Sequence, residues 1–361
     1  MVNKSDQVSP FLVFFLISKV QVGVGVLGFQ RIIIQDAGND AWIAVIVAGI
    51  FFSMAIWLMY KLLDQENKDI VGIHQNIFGK WFGGLISMIW IVYWLATGIS
   101  IFRAYIEVVQ AWVFPQINVL TFSVILALLV YYTISGGFRT VTGICFLGVV
   151  IPAYLILTFI FPLEFTAFRN LLPIWNHSIK EISLASKDMT YSYLGISTLL
   201  MYYPLIKHAK TSQKWAHLGN FLTMSLYLIV IIITIAYYSE AQVSKYIWAT
   251  LSIWKIVEMP FVERFEYIGI TSWVLVILPN ICLTVWAASK GTSRIFNLKE
   301  KKVSIALLVV LVTVSYLLNG RHAINLFIDW MSKVGYYLLF AYLPLLVIVS
   351  TLKSKLRKKS Q

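Results

Sequence analysis

Gly23-Val24-Gly25-Val26-Leu27-Gly28 lies inside an apolar run that extends from about residue 10 to about 34. Letter for letter this is G-x-G-x-x-G, a dinucleotide-binding fingerprint. That fingerprint requires a preceding strand and a βαβ unit, and this run offers neither. A stretch of about 20 mostly apolar residues is instead long enough to cross a bilayer as a helix. Within a membrane helix the glycines allow two readings. They let a neighbouring helix approach closely, or they break the helix and turn backbone groups toward a ligand at the midplane. Glycine is a poor helix former and suits a break. The sequence leaves both readings open.

The rest of the chain repeats the pattern. Of its 361 residues, 59% are hydrophobic and 12% charged, whereas soluble domains carry about 25% charged residues. Lipid must therefore be the solvent for much of the surface. Ten membrane helices are expected, over about 10–34, 41–62, 81–112, 118–134, 143–162, 189–206, 216–238, 267–290, 303–318 and 333–351, in a single all-α domain with a basic tail at 352–361. The third is longer than one bilayer thickness and should tilt. The net charge of +13 follows from short basic loops between apolar runs, not from nucleic-acid binding. With the N-terminus inside, Lys61, Lys68, Lys80, Arg139, Lys207, Lys210, Lys290, Arg294 and the tail all fall on the inner side. That is the positive-inside pattern, and it makes both termini cytoplasmic. The segment 241–262, with Trp248 and Trp254 among Lys245, Lys255 and Glu258, reads as a helix lying at the outer interface, where Trp is favoured.

The sixth expected helix carries the second sign of a break. Tyr191, Tyr193, Gly195, Ser197, Thr198 and Leu199 lead to Tyr202-Tyr203-Pro204, and a proline frees a backbone carbonyl that a neighbour must satisfy. Interrupted first and sixth helices are what an inverted repeat of five plus five helices produces, with a binding site at the midplane between them. Gly23, Val24, Gly25 and Leu27 from the first break, Tyr193, Gly195, Ser197 and Leu199 from the sixth, Thr97 and Ile101 from the third helix and Thr284 from the eighth are the expected ligand-binding residues. Half-helix N-termini supply free N–H groups that suit a carboxylate.

Two charged features need separate accounts. Lys19 lies one turn before Gly23, about 13 Å into the membrane at 1.5 Å per residue. It either faces a cavity or partner or snorkels to the inner interface. In the first case, a resemblance of this break to that of sodium-coupled amino-acid permeases, whose cation site lies against the eighth helix, implies that its ammonium sits at such a site against Thr284 and Ser289, as a tethered charge. Arg103 and Glu107, one turn apart, are expected to form a structural ion pair. Enzyme chemistry is not expected. The five histidines are in or near loops without metal-ligand spacing, no nucleophile triad is visible, and no metal or cofactor is implied. Cys145 and Cys282 lie in apolar runs and suggest no disulfide framework.

Val22-Gly23-Val24-Gly25-Val26-Leu27 also resembles the unwound turn of the amino-acid/polyamine permease superfamily. Arg169-Asn170-Leu171-Leu172-Pro173, Tyr203-Pro204 and Glu263-Arg264-Phe265-Glu266 resemble, in order and spacing, the B subunits of spore-germination nutrient receptors, the endospore germination permeases. The resemblance spans about residues 8–352. It implies a fold of the LeuT/APC type and a nutrient sensor of the bacterial spore's inner membrane. Such a sensor works with an A subunit and a C-subunit lipoprotein, binds a small germinant such as an amino acid, and triggers germination with ion release. The alternative on the same fold is a proton- or sodium-coupled amino-acid permease. Lys19, and Gly136-Gly137-Phe138-Arg139 where the family more often shows an acidic residue and a second arginine, depart from the pattern.

Overall fold

The computed structural model describes residues 6–258 and 263–359. Among these no strand forms. The helices are α1 (Leu12–Gln21), α2 (Phe29–Ala37), α3 (Ala41–Glu66), α4 (Ile70–Phe78), α5 (Lys80–Trp112), α6 (Val119–Ser135), α7 (Phe138–Val150), α8 (Tyr154–Leu157), α9 (Ile179–Asp188) and α10 (Thr190–Tyr193). They continue as α11 (Leu199–Tyr202), α12 (Gln213–Tyr237), α13 (Glu240–Val243), α14 (Ala249–Trp254), α15 (Phe265–Ser272), α16 (Val274–Phe296), α17 (Glu300–Leu317), α18 (Arg321–Tyr337) and α19 (Leu343–Lys359). Six helical runs are long and apolar enough to cross a membrane: Phe29–Glu66, Lys80–Trp112, Phe138–Phe165, Ala209–Tyr237, Phe265–Phe296 and Arg321–Leu356. Leu12–Gln21 and Val119–Ser135 are shorter apolar helices.

The bundle is apolar on its outer face and buries a set of polar side chains within a largely apolar core. Ile50, Phe51, Met54, Leu85, Ile125 and Leu128 are exposed, while Lys19, Gln21, Gln30, Asn220, Thr223 and Asn280 are buried. Exposed apolar patches of this extent require a non-aqueous solvent, so the chain is a multi-pass membrane protein. α1 sits at the centre, packed on α12, α7 and α16, and α16 in turn packs on α5. The N-terminal segment is clasped to the chain beyond α11. Val8 donates its N–H to the Leu205 carbonyl at 2.9 Å and accepts from the Lys207 N–H at 2.9 Å. On the opposite end, Asp40 takes the backbone N–H groups of Trp175, Asn176 and His177 at 2.8, 2.6 and 3.0 Å. This pins the connection ahead of α9 over the turn between α2 and α3.

Three expectations change. The segment 241–262 is not one interfacial helix. It forms the short α13 and α14, and residues 259–262 lie outside the described residues. Trp254 is buried against Trp273, with ring centroids 5.6 Å apart, because this segment folds into the bundle. The basic tail continues α19 as far as Lys359, and residues 360–361 lie outside the described residues. Arg103 and Glu107 do not pair directly. Glu107 takes Arg321 at 2.8 Å, and Arg103 donates from Nε to the Leu318 carbonyl at 2.9 Å. Arg321 opens α18 at a point where its guanidinium reaches Glu107 and also stacks over Trp248, 4.8 Å from the ring centroid. Arg103 is then left to satisfy the exposed carbonyl at the end of α17.

A double-mutant cycle on Glu107→Gln and Arg321→Gln, read by thermal unfolding of the purified protein, should give a coupling of about 1 kcal/mol, the upper end for a partly exposed pair. The same cycle on Glu107 and Arg103 should give a smaller value.

Candidate functional site

The first break is real and local. α1 stops at Gln21; Val22 is extended (φ −101°, ψ 103°), Val24–Leu27 form a tight 3₁₀ turn, and α2 starts at Phe29. Such a break leaves carbonyls without intrahelical partners at one end and N–H groups at the other, and each must be satisfied within the protein. The Val22 carbonyl accepts from Asn280 Nδ2 at 2.9 Å and from Lys19 Nζ at 3.4 Å. The Gln21 carbonyl accepts from the Tyr227 hydroxyl at 3.0 Å. The Val26 carbonyl accepts from Thr250 at 2.8 Å, and Gln30 donates to that threonine at 2.6 Å. The helix does break at Gly23. Four residues past the 3₁₀ turn's start, Gly28 packs so closely that a Cβ there would stand 2.3 Å from the Ile247 carbonyl, in the turn between α13 and α14.

The second break runs from Leu194 to Thr198 between α10 and α11. Gly195 has φ +99°, and a Cβ on it would stand 2.8 Å from the Val20 Cβ. Only glycine meets both conditions, since the left-handed region is costly for other residues. Tyr227 ties the two breaks together, because its hydroxyl also lies 3.2 Å from the Ser192 carbonyl.

Between the breaks is a cavity of about 20 Å³, lined in part by Gln21, Gly23, Val24, Gly25, Thr97, Ile101, Tyr191 and Asn280. Two buried acceptors there, Gln21 Oε1 and Asn280 Oδ1, have no hydrogen-bond partner in the protein. Beside them, Gly23, Val24 and Gly25 lead into a new helical turn, whose first N–H groups lack intrahelical acceptors. Acceptors and donors close together suit a group carrying an ammonium and a carboxylate together. The volume fits about one water molecule, so in this conformation the site is closed around the space a ligand would enter.

Of the residues expected here, Gly23, Val24, Gly25, Thr97 and Ile101 line the cavity. The others do not. Leu27 and Leu199 are buried in the core. Tyr193 stacks on Phe52, with centroids 4.7 Å apart. Gly195 packs on Val20. Ser197 accepts from Trp94 Nε1 at 3.0 Å. Thr284 spends its hydroxyl on the Asn280 and Ile281 carbonyls at 2.9 and 3.1 Å. The expected grouping of Lys19 with Thr284 and Ser289 is also not formed. Lys19 lies against Gly148 of α7, whose Cβ position is 3.2 Å from Lys19 Cε, and Ser289 is buried further along α16. The residues the sequence reading passed over are Gln21 and Asn280. Their signal was present: a lone amide in an apolar run, and Asn280 directly after Pro279 inside α16.

Solved structures with this arrangement give the class. The chain overlays MhsT in complex with L-phenylalanine with a TM-score of 0.66 at 14% identity, over 94% of this chain and 88% of that one. It overlays the substrate-bound outward-open Na+-coupled sialic acid symporter with a TM-score of 0.63 at 11% identity, over 96% and 77%. The fold is that of the LeuT-type transporters, built around broken helices. At the level of sequence, the family model described as spore germination protein matches residues 7–324. Spore germination protein GerQB of Bacillus cereus is 45% identical over 352 residues, covering 98% of both chains. Spore germination protein YndE of Bacillus subtilis is 24% identical over 366 residues, covering 100% of both. The chain belongs to the spore germination protein family of permeases.

Gly195→Ala should destabilise by about 1–3 kcal/mol, measured as thermal unfolding of the purified protein. Gly320→Ala, at φ +80° but with open space around it, should cost less.

Proposed function

We propose that this chain is the nutrient-sensing B subunit of a spore germinant receptor. It binds a small germinant, in chemical terms an α-amino acid, between the two helix breaks and triggers germination with ion release. The observation that carries this reading is the pair of partnerless acceptors, Gln21 Oε1 and Asn280 Oδ1, at one small cavity that Gly23, Val24 and Gly25 also line. An α-ammonium would take the acceptors and an α-carboxylate the donors. Family membership supports the setting: the inner membrane of the spore, both termini cytoplasmic, and assembly with an A subunit and a C-subunit lipoprotein. The cavity's closure suits a sensor, because a ligand must part the breaks to enter, and parting them moves Tyr227 and everything it joins.

The second reading, a proton- or sodium-coupled amino-acid permease, draws on the solved neighbours, one of which is a Na+-coupled symporter. One feature separates the two. The carbonyl at the first break, Val22, is held by Asn280 and by Lys19, so the protein's own donors serve the break in place of a free cation. The sensor reading therefore takes Lys19 as a tethered charge.

Asn280→Ala and Gln21→Met should each raise the half-maximal germinant concentration about tenfold or more, the cost of one lost hydrogen bond to a charged group. The measurement is a germination dose response over single amino acids, in spores whose content of the protein is checked by immunoblot. Unchanged dose responses in both variants would remove the site from the break. Germination should also proceed unchanged when sodium is replaced by a large organic cation. A strong sodium requirement, together with accumulation of labelled amino acid by vesicles carrying this chain alone, would establish the permease instead.

A further inference from the structure

The end of α1 and the first break also border a second cavity. Ser18 and Lys19 of α1, with Val22 and Val26 from the break, line a space of about 170 Å³ between α1, the α7–α8 segment and α12. Its walls are almost entirely apolar, with Val149, Phe159 and Leu226 among them. Its rim includes Ile156 and Ile229, which are 37% and 43% exposed on the apolar outer face of the bundle. The mouth therefore opens toward hydrocarbon, not toward water.

The polar groups at this cavity that lack partners are all donors. Lys19 is 1% exposed, and its one acceptor is the Val22 carbonyl at 3.4 Å. An ammonium has three N–H donors and no acceptor. Among the described residues no carboxylate lies within ion-pair distance of it. The indoles of Trp254 and Trp273 also line the space, and neither N–H has an acceptor in the protein. A buried charge is tolerated in a membrane when it meets a partner, and an ammonium with one long contact beside two indole N–H groups with none defines what that partner must bring. It must be an acceptor, anionic to match Lys19, on a body that is otherwise hydrocarbon.

We infer that this cavity binds a membrane-dissolved monocarboxylate of the free fatty acid type. Its carboxylate pairs with Lys19, and its chain runs past Leu226 and Ile156 into the bilayer. A phospholipid is a poorer match, since its headgroup would have to leave the interface to reach a lysine at this depth. The site is distinct from the one proposed for the germinant, and the inference does not rest on that reading. It does touch the same break, because a carboxylate that draws the ammonium away from Val22 leaves Asn280 alone to hold that carbonyl.

The test uses the full chain in phosphatidylcholine nanodiscs and a diazirine-bearing fatty acid, with adducts mapped by mass spectrometry. Adducts should concentrate on 149–159 and 222–230. Decanoic acid should displace them at a concentration at least tenfold below that of decanol. Lys19→Met should abolish the preference for acid over alcohol, and Lys19→Arg should retain it. Ile229→Trp, which fills the mouth without touching the lysine, should abolish labelling at these peptides. Adducts spread evenly around the bundle, decanol competing as well as decanoic acid, or Lys19→Met behaving as wild type would each overturn the proposal. Phenylpropionate supplied from water competing better than decanoic acid would overturn the bilayer as the source. Should Lys19→Met not accumulate, the acid–alcohol comparison on the wild type and the Ile229→Trp result decide. Because the readout is labelling and not germination, failure here leaves the germinant site standing.

Discussion

A backbone carbonyl inside a membrane has no water to turn to, and this fold contains two places where helices stop in mid-bundle. Its architecture follows from how those ends are satisfied. Tyr227 reaches the Gln21 and Ser192 carbonyls from α12, Asn280 reaches Val22 from α16, and Thr250 reaches Val26 from α14. Each is a polar side chain among mostly apolar neighbours, and each is buried because its acceptor is. The central position of α1, against α7, α12 and α16, is the geometric result: the broken helix has to be ringed by the helices that hold its ends.

Much of this was legible before any coordinates. Length and apolarity identify the membrane runs, and Gly23–Gly28 marks a segment that cannot be a continuous helix; the second break falls at Leu194–Thr198, ahead of the Tyr203-Pro204 that suggested it. What the sequence could not supply was partner choice across the bundle. Arg103 and Glu107 have the spacing of a helical ion pair, yet the distant Arg321 offers Glu107 a better geometry, and i, i+4 spacing carries no information about residues more than two hundred positions away. Ser197 and Thr284 have the right chemistry for a ligand, but their hydroxyls are consumed by Trp94 and by α16's own carbonyls. The tryptophans of 241–262 suggested an interface because Trp favours one; Trp254 instead fills space against Trp273. Gln21 and Asn280 were overlooked because an uncharged amide scarcely disturbs the hydropathy of a run, although in hydrocarbon a lone amide always implies a partner.

Sensor and transporter share this scaffold, and the difference lies in how strongly the breaks are held. A transporter that borrows a cation at the break can release it and reset. Here the equivalent stabilisation is covalently attached: Asn280 belongs to α16 and Lys19 to α1 itself. Fixed donors do not dissociate, which favours the sensor reading proposed above over an ion-coupled one.

The clasp of Val8 between Leu205 and Lys207 gives that answer a direction. The chain ahead of α1 and the chain behind α11 are stitched into one short ribbon, so the lower halves of both broken helices share a single handle. A displacement that begins as a parting of the two breaks cannot spread through one half alone. Under the sensor reading it would reach that end of the bundle as a joint swing of two ends, which a neighbouring subunit pressed there would feel as one push.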